Sequence, residues 1–171
     1  MTQGLEQSDP MDRLALVKEH WPEVYRLCYR LSGNAHDAEE ITQESFLRAL
    51  EKWHRFEPGT NLRAWLFRIA TNAFLTIKRR ARTTPMGDAM YEVAGNQGQV
   101  EAGITQGELS NQLQAAILRL SDTQRTVFVL RATEDVPFSE ISAILGITET
   151  TVRWHMSQAR QQLVKLLEGK L

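Results

Sequence analysis

The chain has 171 residues, of which 42 % are hydrophobic, so it is long enough for one domain or two small ones with real cores. A single cysteine, Cys28, excludes a disulfide framework, and four dispersed histidines give neither CxxC nor HxxxH spacing. We therefore expect no metal and no cofactor. The N-terminal segment lacks the apolar core of a signal peptide, and no run approaches the roughly 18 apolar residues of a membrane span, which predicts a cytoplasmic protein without membrane insertion.

The formal net charge of −1 conceals local sorting of charge along the chain. Six basic residues and no acid lie between Glu57 and Asp88, and three basic residues and no acid lie between Glu149 and Glu168. Two basic segments of this kind indicate an anionic partner such as nucleic acid.

Apolar periodicity in the first half predicts helices over about 11–31, 36–54 and 61–82. Pro22 should kink or restart the first helix, and Gly33-Asn34 should stop it. In the second helix one arc is apolar: Ala38, Ile41, Ser45, Phe46, Ala49 and Trp53. The opposite arc carries three acids and no base around a leucine: Glu40, Gln43, Glu44, Leu47 and Glu51. This arc is either a solvated surface or a docking surface for a basic partner.

The third predicted helix, 61–82, is basic. Its predicted buried stripe is Leu62, Leu66, Ile69, Ala70, Ala73 and Ile77, and its outward row is Arg68, Asn72, Leu75, Arg79 and Arg82. The outward row offers charge for phosphates and an amide for a base. Thr60 and Asn61 lie at the helix start, where a loop can hold an unstacked base. Trp65 lies between the two faces, and its sequence context fits a core tryptophan as well as one that stacks on bases.

Residues 83–107 predict a flexible linker, because they contain five of the ten glycines, no basic residue and no sustained apolar period. A flexible coil of this length would span roughly 25–30 Å r.m.s. and at most about 80–90 Å. The predicted fold class is therefore all-α, with two small helical domains, 11–82 and 108–171, joined by this linker.

The second half predicts helices over about 108–119, 122–132, 138–145 and 149–167, with Ser121 and Thr148 as N-caps. The last two helices, joined by a turn at Gly146, match a helix-turn-helix, whose alternative is an ordinary helical hairpin. The inward residues are Ile141, Ile144, Leu145, Val152, Met156, Ala159 and Leu163. The outward residues of the last helix are of types that contact base edges: Thr150, Arg153, Trp154, Ser157, Gln158 and Gln161. His155 should be packed or face phosphate.

Three segments carry a family resemblance: DAEEITQESFLRAL, FEPGTNLRAWLFRIATNAFLTIKRR and LRLSDTQRTVFVLRATEDVPFSEISAILGITETTVRWHMSQAR. In this order they resemble the bacterial extracytoplasmic-function sigma factors, over about residues 12–168. The resemblance implies a sigma region 2-like bundle that docks on core RNA polymerase and captures the promoter −10 element. It also implies a region 4-like helix-turn-helix for the −35 element, no enzymatic activity, and an anti-sigma factor as a further partner.

The resemblance, together with the outward faces and basic segments described above, assigns residues to each surface. Core polymerase binding falls to Glu40, Gln43, Glu44 and Leu47. The −10 contacts fall to Thr60, Asn61, Arg63, Trp65, Arg68, Asn72 and Arg79, and the −35 contacts to Thr150, Thr151, Arg153, Trp154, Ser157 and Gln158. Two departures from the family pattern are the pair Trp65-Leu66, which implies weaker strand opening than paired aromatics, and Trp154-His155, which leaves the −35 sequence open.

Two other functions are weighed against this interpretation. A helix-turn-helix regulator that does not bind polymerase would need a receiver or ligand domain in the first half, where no βα alternation occurs. An enzyme is disfavoured because the chain has no glycine-rich phosphate loop, no G-x-S-x-G and no His/Cys/Asp cluster.

Overall fold

The structure, a computed structural model, describes residues 10–83 and 106–168, and all regular structure in these two ranges is helical. The helices are α1 (Pro10–Glu19), α2 (Trp21–Ser32), α3 (Ala35–Glu51), α4 (Leu62–Thr83), α5 (Gln106–Leu118), α6 (Asp122–Phe128), α7 (Phe138–Leu145) and α8 (Glu149–Glu168). A 3₁₀ turn, Trp53–Arg55, follows α3, and a π-helical turn, Val129–Thr133, continues α6. The predicted all-α class is confirmed. The predicted linker falls on residues that lie, apart from its two ends, outside the described ranges.

Local signals set the helix ends in the first half. The predicted helix 11–31 is two helices, because Pro22 occupies the first turn of α2, where a missing N–H costs nothing. Gly33 ends α2 in the left-handed conformation, with φ 84°, and its N–H donates to the Tyr29 carbonyl. Asn34 then caps α3 by accepting from the Asp37 N–H at 2.8 Å. The predicted stop at Gly33-Asn34 is confirmed.

The first domain, residues 10–83, packs α2, α3 and α4 together. The six residues predicted on the apolar arc of α3 and its continuation are all buried. For α4 the predicted stripe is partly wrong, because Leu62, Ile69 and Ile77 are only half-buried. Phe67 and Phe74, which were not predicted, are buried, and Leu75, predicted to face outward, is half-buried. The reason is that α4 packs on α2 and α3 and also on α6 and α7, so a second face is covered.

The second domain, residues 106–168, packs α5, α6 and α7 on α8. Ser121 accepts from the Gln124 N–H at 3.3 Å and Thr148 from the Thr151 N–H at 3.2 Å, so both predicted caps are confirmed. Gly146 ends α7 with φ 66°. The predicted inward residues are buried except Leu145, which is half-buried, so α7, the turn and α8 form the helix-turn-helix.

The two domains lie in direct contact and share one hydrophobic core. A Cβ added at Gly33 would lie 2.5 Å from the Leu118 side chain, so any other residue at the end of α2 would require that side chain on α5 to shift. The buried Arg125 crosses the same boundary, donating to the Leu31 carbonyl at 2.8 Å and to the Leu118 carbonyl at 2.6 Å. Burial lowers the pKa of Arg125. The sequence predicted two domains without their arrangement, and the structure places one on the other.

Candidate functional site

The acidic face, which we define as Glu40, Gln43, Glu44 and Leu47, lies on the outer surface of α3. Glu40, Gln43 and Leu47 are exposed, as predicted from periodicity. Glu44 is half-buried and forms an ion pair with Arg48 one turn later, so the expectation of a face without a base is incomplete. An i,i+4 ion pair on a helix contributes only about 0.3–0.5 kcal/mol, so Glu44 can leave Arg48 to contact a partner that binds it more strongly.

Leu47 is the most exposed large hydrophobic side chain in the described ranges, at 63 %. Leu47 lies among carboxylates on the protein surface and does not contribute to the hydrophobic core. It suits a protein partner with a basic surface, because burial of the leucine adds affinity while the acids steer the partner.

A cavity of about 590 Å³ opens beside α4, at the 3₁₀ turn and the loop that follows it. We call it the α4 pocket. It brings together four of the predicted −10 residues: Thr60, Trp65, Arg68 and Asn72. Its other lining residues are Lys52, Arg55, Glu57 and Ile69. Lys52 and Arg55 were missed because they flank a buried tryptophan at the end of α3, although two basic residues next to the −10 loop were a usable signal.

Trp65 forms one wall of the α4 pocket and also belongs to an aromatic cluster. Its ring lies edge-on to Trp53, with centroids 6.2 Å apart, and 5.3 Å from Phe56. Aromatic pairs of this geometry contribute about 0.5–1.5 kcal/mol each. The ring is thus packed, as expected of a core tryptophan, and it also lines the cavity, while stacking on bases stays a prediction.

The loop before α4 is shaped by local hydrogen bonds. Thr60 donates from both its N–H and its Oγ1 to the Glu57 carbonyl, at 3.2 and 2.6 Å. Asn61 accepts from the Ala64 N–H at 3.2 Å and so caps α4. Gly59 has φ 85°, which glycine adopts without cost. Thr60 and Asn61 are exposed, and their side-chain hydrogen bonds fix the turn and the first turn of α4.

Arg63 and Arg79 lie apart from the α4 pocket. Arg63 turns toward α2, where its Nε donates to Glu23 at 2.7 Å and its guanidinium lies 4.4 Å from the Phe67 ring centroid. Arg79 is exposed two turns beyond Asn72 along the same helix. Of the seven predicted −10 residues, the structure therefore gathers four around the α4 pocket, and Asn61, Arg63 and Arg79 do not line it.

The outer face of α8 carries the predicted −35 residues. Thr150, Arg153, Trp154 and Ser157 are exposed, whereas Thr151 and Gln158 are half-buried. The Arg153 guanidinium lies 4.5 Å from the Phe138 ring centroid and 3.7 Å from the Glu149 carboxylate. Trp154 is 55 % exposed. The face thus presents a positioned cation and an unburied indole.

His155 lies half-buried beside this face, and its Nδ1 has no hydrogen-bond partner among the described residues. Burial lowers the pKa of His155.

The unfolded chain therefore binds a proton at His155 more tightly than the folded chain does, so we expect the free energy of unfolding to fall as the pH drops below about 6.5. His155→Gln should flatten the dependence of Tm on pH between about 5 and 7, whereas His54→Gln, at an exposed histidine, should not. An unchanged slope in His155→Gln would contradict this assignment.

His36, Asp37 and Glu40 place three potential ligand atoms within 4.8 Å of one another at the start of α3. The prediction of no metal considered only CxxC and HxxxH spacing and did not include this group. The Asp37 carboxylate accepts from Asn34 Nδ2 at 2.8 Å, and exposed acidic groups of this kind are common without an ion.

Comparison with known proteins defines the class. The Sigma-70 region 2 model matches residues 16–84, and the Sigma-70, region 4 model matches residues 110–163. The chain is 38 % identical over 164 residues to ECF RNA polymerase sigma factor SigW of Bacillus subtilis, which covers 89 % of this chain and 87 % of that relative. It is 40 % identical over 151 residues to ECF RNA polymerase sigma factor SigE of Mycolicibacterium smegmatis, which covers 86 % of this chain but only 58 % of that longer relative.

Among solved structures, the chain is similar to the sigma factor RpoE of Bartonella quintana, whose structure is a complex with the anti-sigma factor NepR. The TM-score is 0.67 at 25 % identity, over 94 % of this chain and 98 % of the other. The chain therefore belongs to the extracytoplasmic-function RNA polymerase sigma factors. A helix-turn-helix regulator that does not bind the polymerase core is not favoured, because the first half matches sigma region 2. In the described ranges, no helix is both long enough and apolar enough to cross a membrane.

Proposed function

We propose that this sigma factor docks on core RNA polymerase through the acidic face of α3, captures the −10 element at the α4 pocket, and binds the −35 element with α8. The observation that carries the proposal is the α4 pocket, because residues chosen from the sequence as base contacts line one cavity. The chain itself performs no chemistry in this scheme. Polymerase synthesises the RNA, and the sigma factor works in the cytoplasm, where polymerase and promoter DNA are found.

At the −10 element, a base of the opened strand would enter the α4 pocket. The volume of about 590 Å³ exceeds that of one base, and the wall formed by Trp65 offers an aromatic surface. Stacking contributes about 1–3 kcal/mol per base, which is of the size of the few kcal/mol that unstacking costs. Lys52, Arg55 and Arg68 supply positive charge for the flanking phosphates, while Glu57 and Asn72 supply polar groups for the base edge.

At the −35 element, Arg153→Ala is expected to change base preference at one position by about 1–3 kcal/mol, because an arginine on this face contacts a base edge. Arg79→Ala, at an exposed residue of the other domain, should instead weaken binding evenly across sequences and lower the salt dependence by about one unit of slope. Selection of sites from random DNA by the polymerase-bound chain separates the two. Identical −35 preferences for the wild type and Arg153→Ala would remove Arg153 from the base contacts.

An anti-sigma protein is proposed as the third partner. The similar sigma factor of Bartonella quintana was solved in complex with an anti-sigma factor. Such a protein would hold this chain inactive by covering the surfaces that polymerase or promoter DNA needs.

The function is tested by run-off transcription with reconstituted core polymerase over a genomic library. We expect transcripts from a limited set of promoters only when the chain is added, and co-purification of the chain with core polymerase. Core polymerase that neither binds the chain nor changes its transcripts would overturn the proposal.

A further inference from the structure

Glu134 is a carboxylate buried at the boundary between the two domains. Its side chain has 0 % exposure, and three arginines of the first domain surround it. Arg30 Nη1 donates to Oε1 at 2.8 Å, Arg26 Nη2 to Oε2 at 3.2 Å, and Arg63 Nη2 to Oε2 at 3.3 Å. Arg63 also donates to the Glu134 carbonyl at 3.2 Å. No other acidic residue in the described ranges is classed as buried.

The backbone around Glu134 departs from regular helix in a way that places this side chain. The π-helical turn Val129–Thr133 widens the end of α6, and the Glu134 N–H closes it by donating to the Val129 carbonyl at 3.2 Å. Asp135 follows with φ 55°, a conformation that few residues other than glycine adopt, although aspartate is among those that tolerate it. Local geometry thus turns Glu134 toward the first domain while Asp135 faces solvent.

The energetics of this contact depend on the domains remaining together. Burying a carboxylate costs several kcal/mol, and only well-formed charge-assisted hydrogen bonds offset that cost. The hydrogen bond from Arg26 to Glu134 raises the pKa of Arg26. If the carboxylate lost its charge, the three guanidinium groups would be crowded at the boundary without their counter-ion. Domain separation relieves this by returning the guanidinium groups to water, although it also exposes the part of the hydrophobic core that the two domains share.

The closed arrangement conflicts with binding to two promoter elements. A spacer of about 17 base pairs at roughly 3.4 Å each separates the elements by about 58 Å. Two domains of about 70 residues in contact have their centres within roughly 30 Å of each other. The contact also occupies Arg63 with Glu134, and a second ion pair, Arg82 with Asp122, joins α4 to α6.

We propose that Glu134 and its three arginines form an intramolecular latch, which holds the free protein closed and must open before both promoter elements can be bound. The latch itself does not depend on the proposed function. Its inhibitory effect on DNA binding does, and the two are tested separately.

The latch is tested by the distance between the domains in the full-length chain. Spin labels at Ala35→Cys and Lys165→Cys, both exposed positions, report this distance by double electron–electron resonance. Cys28 should stay unlabelled, because it is buried and burial raises the pKa of its thiol to about 11. We expect a narrow distribution for the wild type and a longer, broader one for Glu134→Gln. Identical distributions would overturn the latch.

Two further variants sharpen the test. Asp135→Asn removes the same charge at the next residue, whose side chain is 95 % exposed, and asparagine tolerates the positive φ, so the chain should stay closed. Arg30→Gln weakens the latch from the other domain and should also open the chain. In the double variant Arg30→Gln/Glu134→Gln, the distance between the spin labels should be little longer than in Glu134→Gln alone, because the ion pair between the two residues is already lost. If Glu134→Gln loses helical circular dichroism, the distance distribution of Arg30→Gln is the deciding measurement. A distribution for Arg30→Gln identical to that of the wild type would overturn the latch.

The inhibitory role is tested with a duplex that carries both elements of a promoter found by run-off transcription. Opening should tighten the binding of this duplex to the free chain by about 5–150-fold in Glu134→Gln, the range of typical coupling energies, with no gain in Asp135→Asn. An opened variant with unchanged affinity would overturn the inhibitory role. A wild-type chain that supports no promoter-specific transcription would instead refute the proposed function and leave the distance measurement to decide on the latch.

Discussion

Replacing Glu40 and Glu44 by lysine is expected to abolish binding to core RNA polymerase without unfolding the protein. Glu40 is exposed, and Glu44 is half-buried and forms an ion pair with Arg48. Exposed substitutions usually change stability by no more than about 0.5 kcal/mol, and the lost pair adds a similar amount. Against a basic partner surface, however, the reversal sets like charges opposite each other, which costs several kcal/mol in binding.

The measurement is the affinity of the full-length double variant for core polymerase, together with its helical circular dichroism and Tm. A loss of at least about 100-fold corresponds to roughly 3 kcal/mol. Glu19→Lys/Glu168→Lys makes the same change in net charge at two exposed residues outside the acidic face and should bind normally. Leu47→Asp should lose affinity as the lysine variant does, because Leu47 is exposed amid those acids. Near-normal affinity in both Glu40→Lys/Glu44→Lys and Leu47→Asp would mean that the face is only solvated.

Replacing Arg68 and Asn72 by alanine is expected to abolish promoter opening while leaving polymerase binding unchanged. Both side chains are exposed and line the α4 pocket. If each contributes about 1–3 kcal/mol to holding the opened strand, the pair should lower the equilibrium for the open complex by roughly 30-fold to 10⁴-fold. Neither residue belongs to the buried core, so the fold should be retained.

Permanganate footprinting of the melted −10 region measures this effect directly. The control, Asn111→Ala/Arg119→Ala, removes the same two residue types from exposed positions of the second domain and should open promoters normally. Normal opening by Arg68→Ala/Asn72→Ala would show that the pocket does not hold the opened strand.

The helices and the helix-turn-helix were predictable because their signals are local. Periodicity of apolar residues defined the arc of α3 and the inward face of α8, and side-chain caps at Ser121 and Thr148 marked helix starts. Gly33 marked a helix end for the same reason, since only a few residue types adopt its backbone angles at low cost. The charge pattern of α3 likewise needed only the helical repeat, so the candidate docking face could be named before any tertiary contact was known.

The α4 pocket was predictable only in part. Thr60, Arg68 and Asn72 lie in or near one basic helix, and their shared surface follows from its repeat. Lys52 and Arg55 reach the same cavity from the end of α3, which depends on how two helices pack. The sequence left Trp65 as either a core tryptophan or one that stacks on bases, and only the tertiary structure shows that it packs on Trp53 and Phe56 while lining the cavity.

The sequence by itself determined the helices, the family and the residues that face outward from each isolated helix. Tertiary structure alone decided which of those outward residues remain available. Glu134 in the segment RATEDVP has the pattern of an exposed loop acid, and Arg63 that of a DNA contact, yet the two meet 71 positions apart in an ion pair whose carboxylate is buried. The physical reason is that burial of a charge depends on several residues that are distant in sequence. The Glu134 carboxylate can be buried because three guanidinium groups contact it, and the local sequence pattern does not show that they meet there.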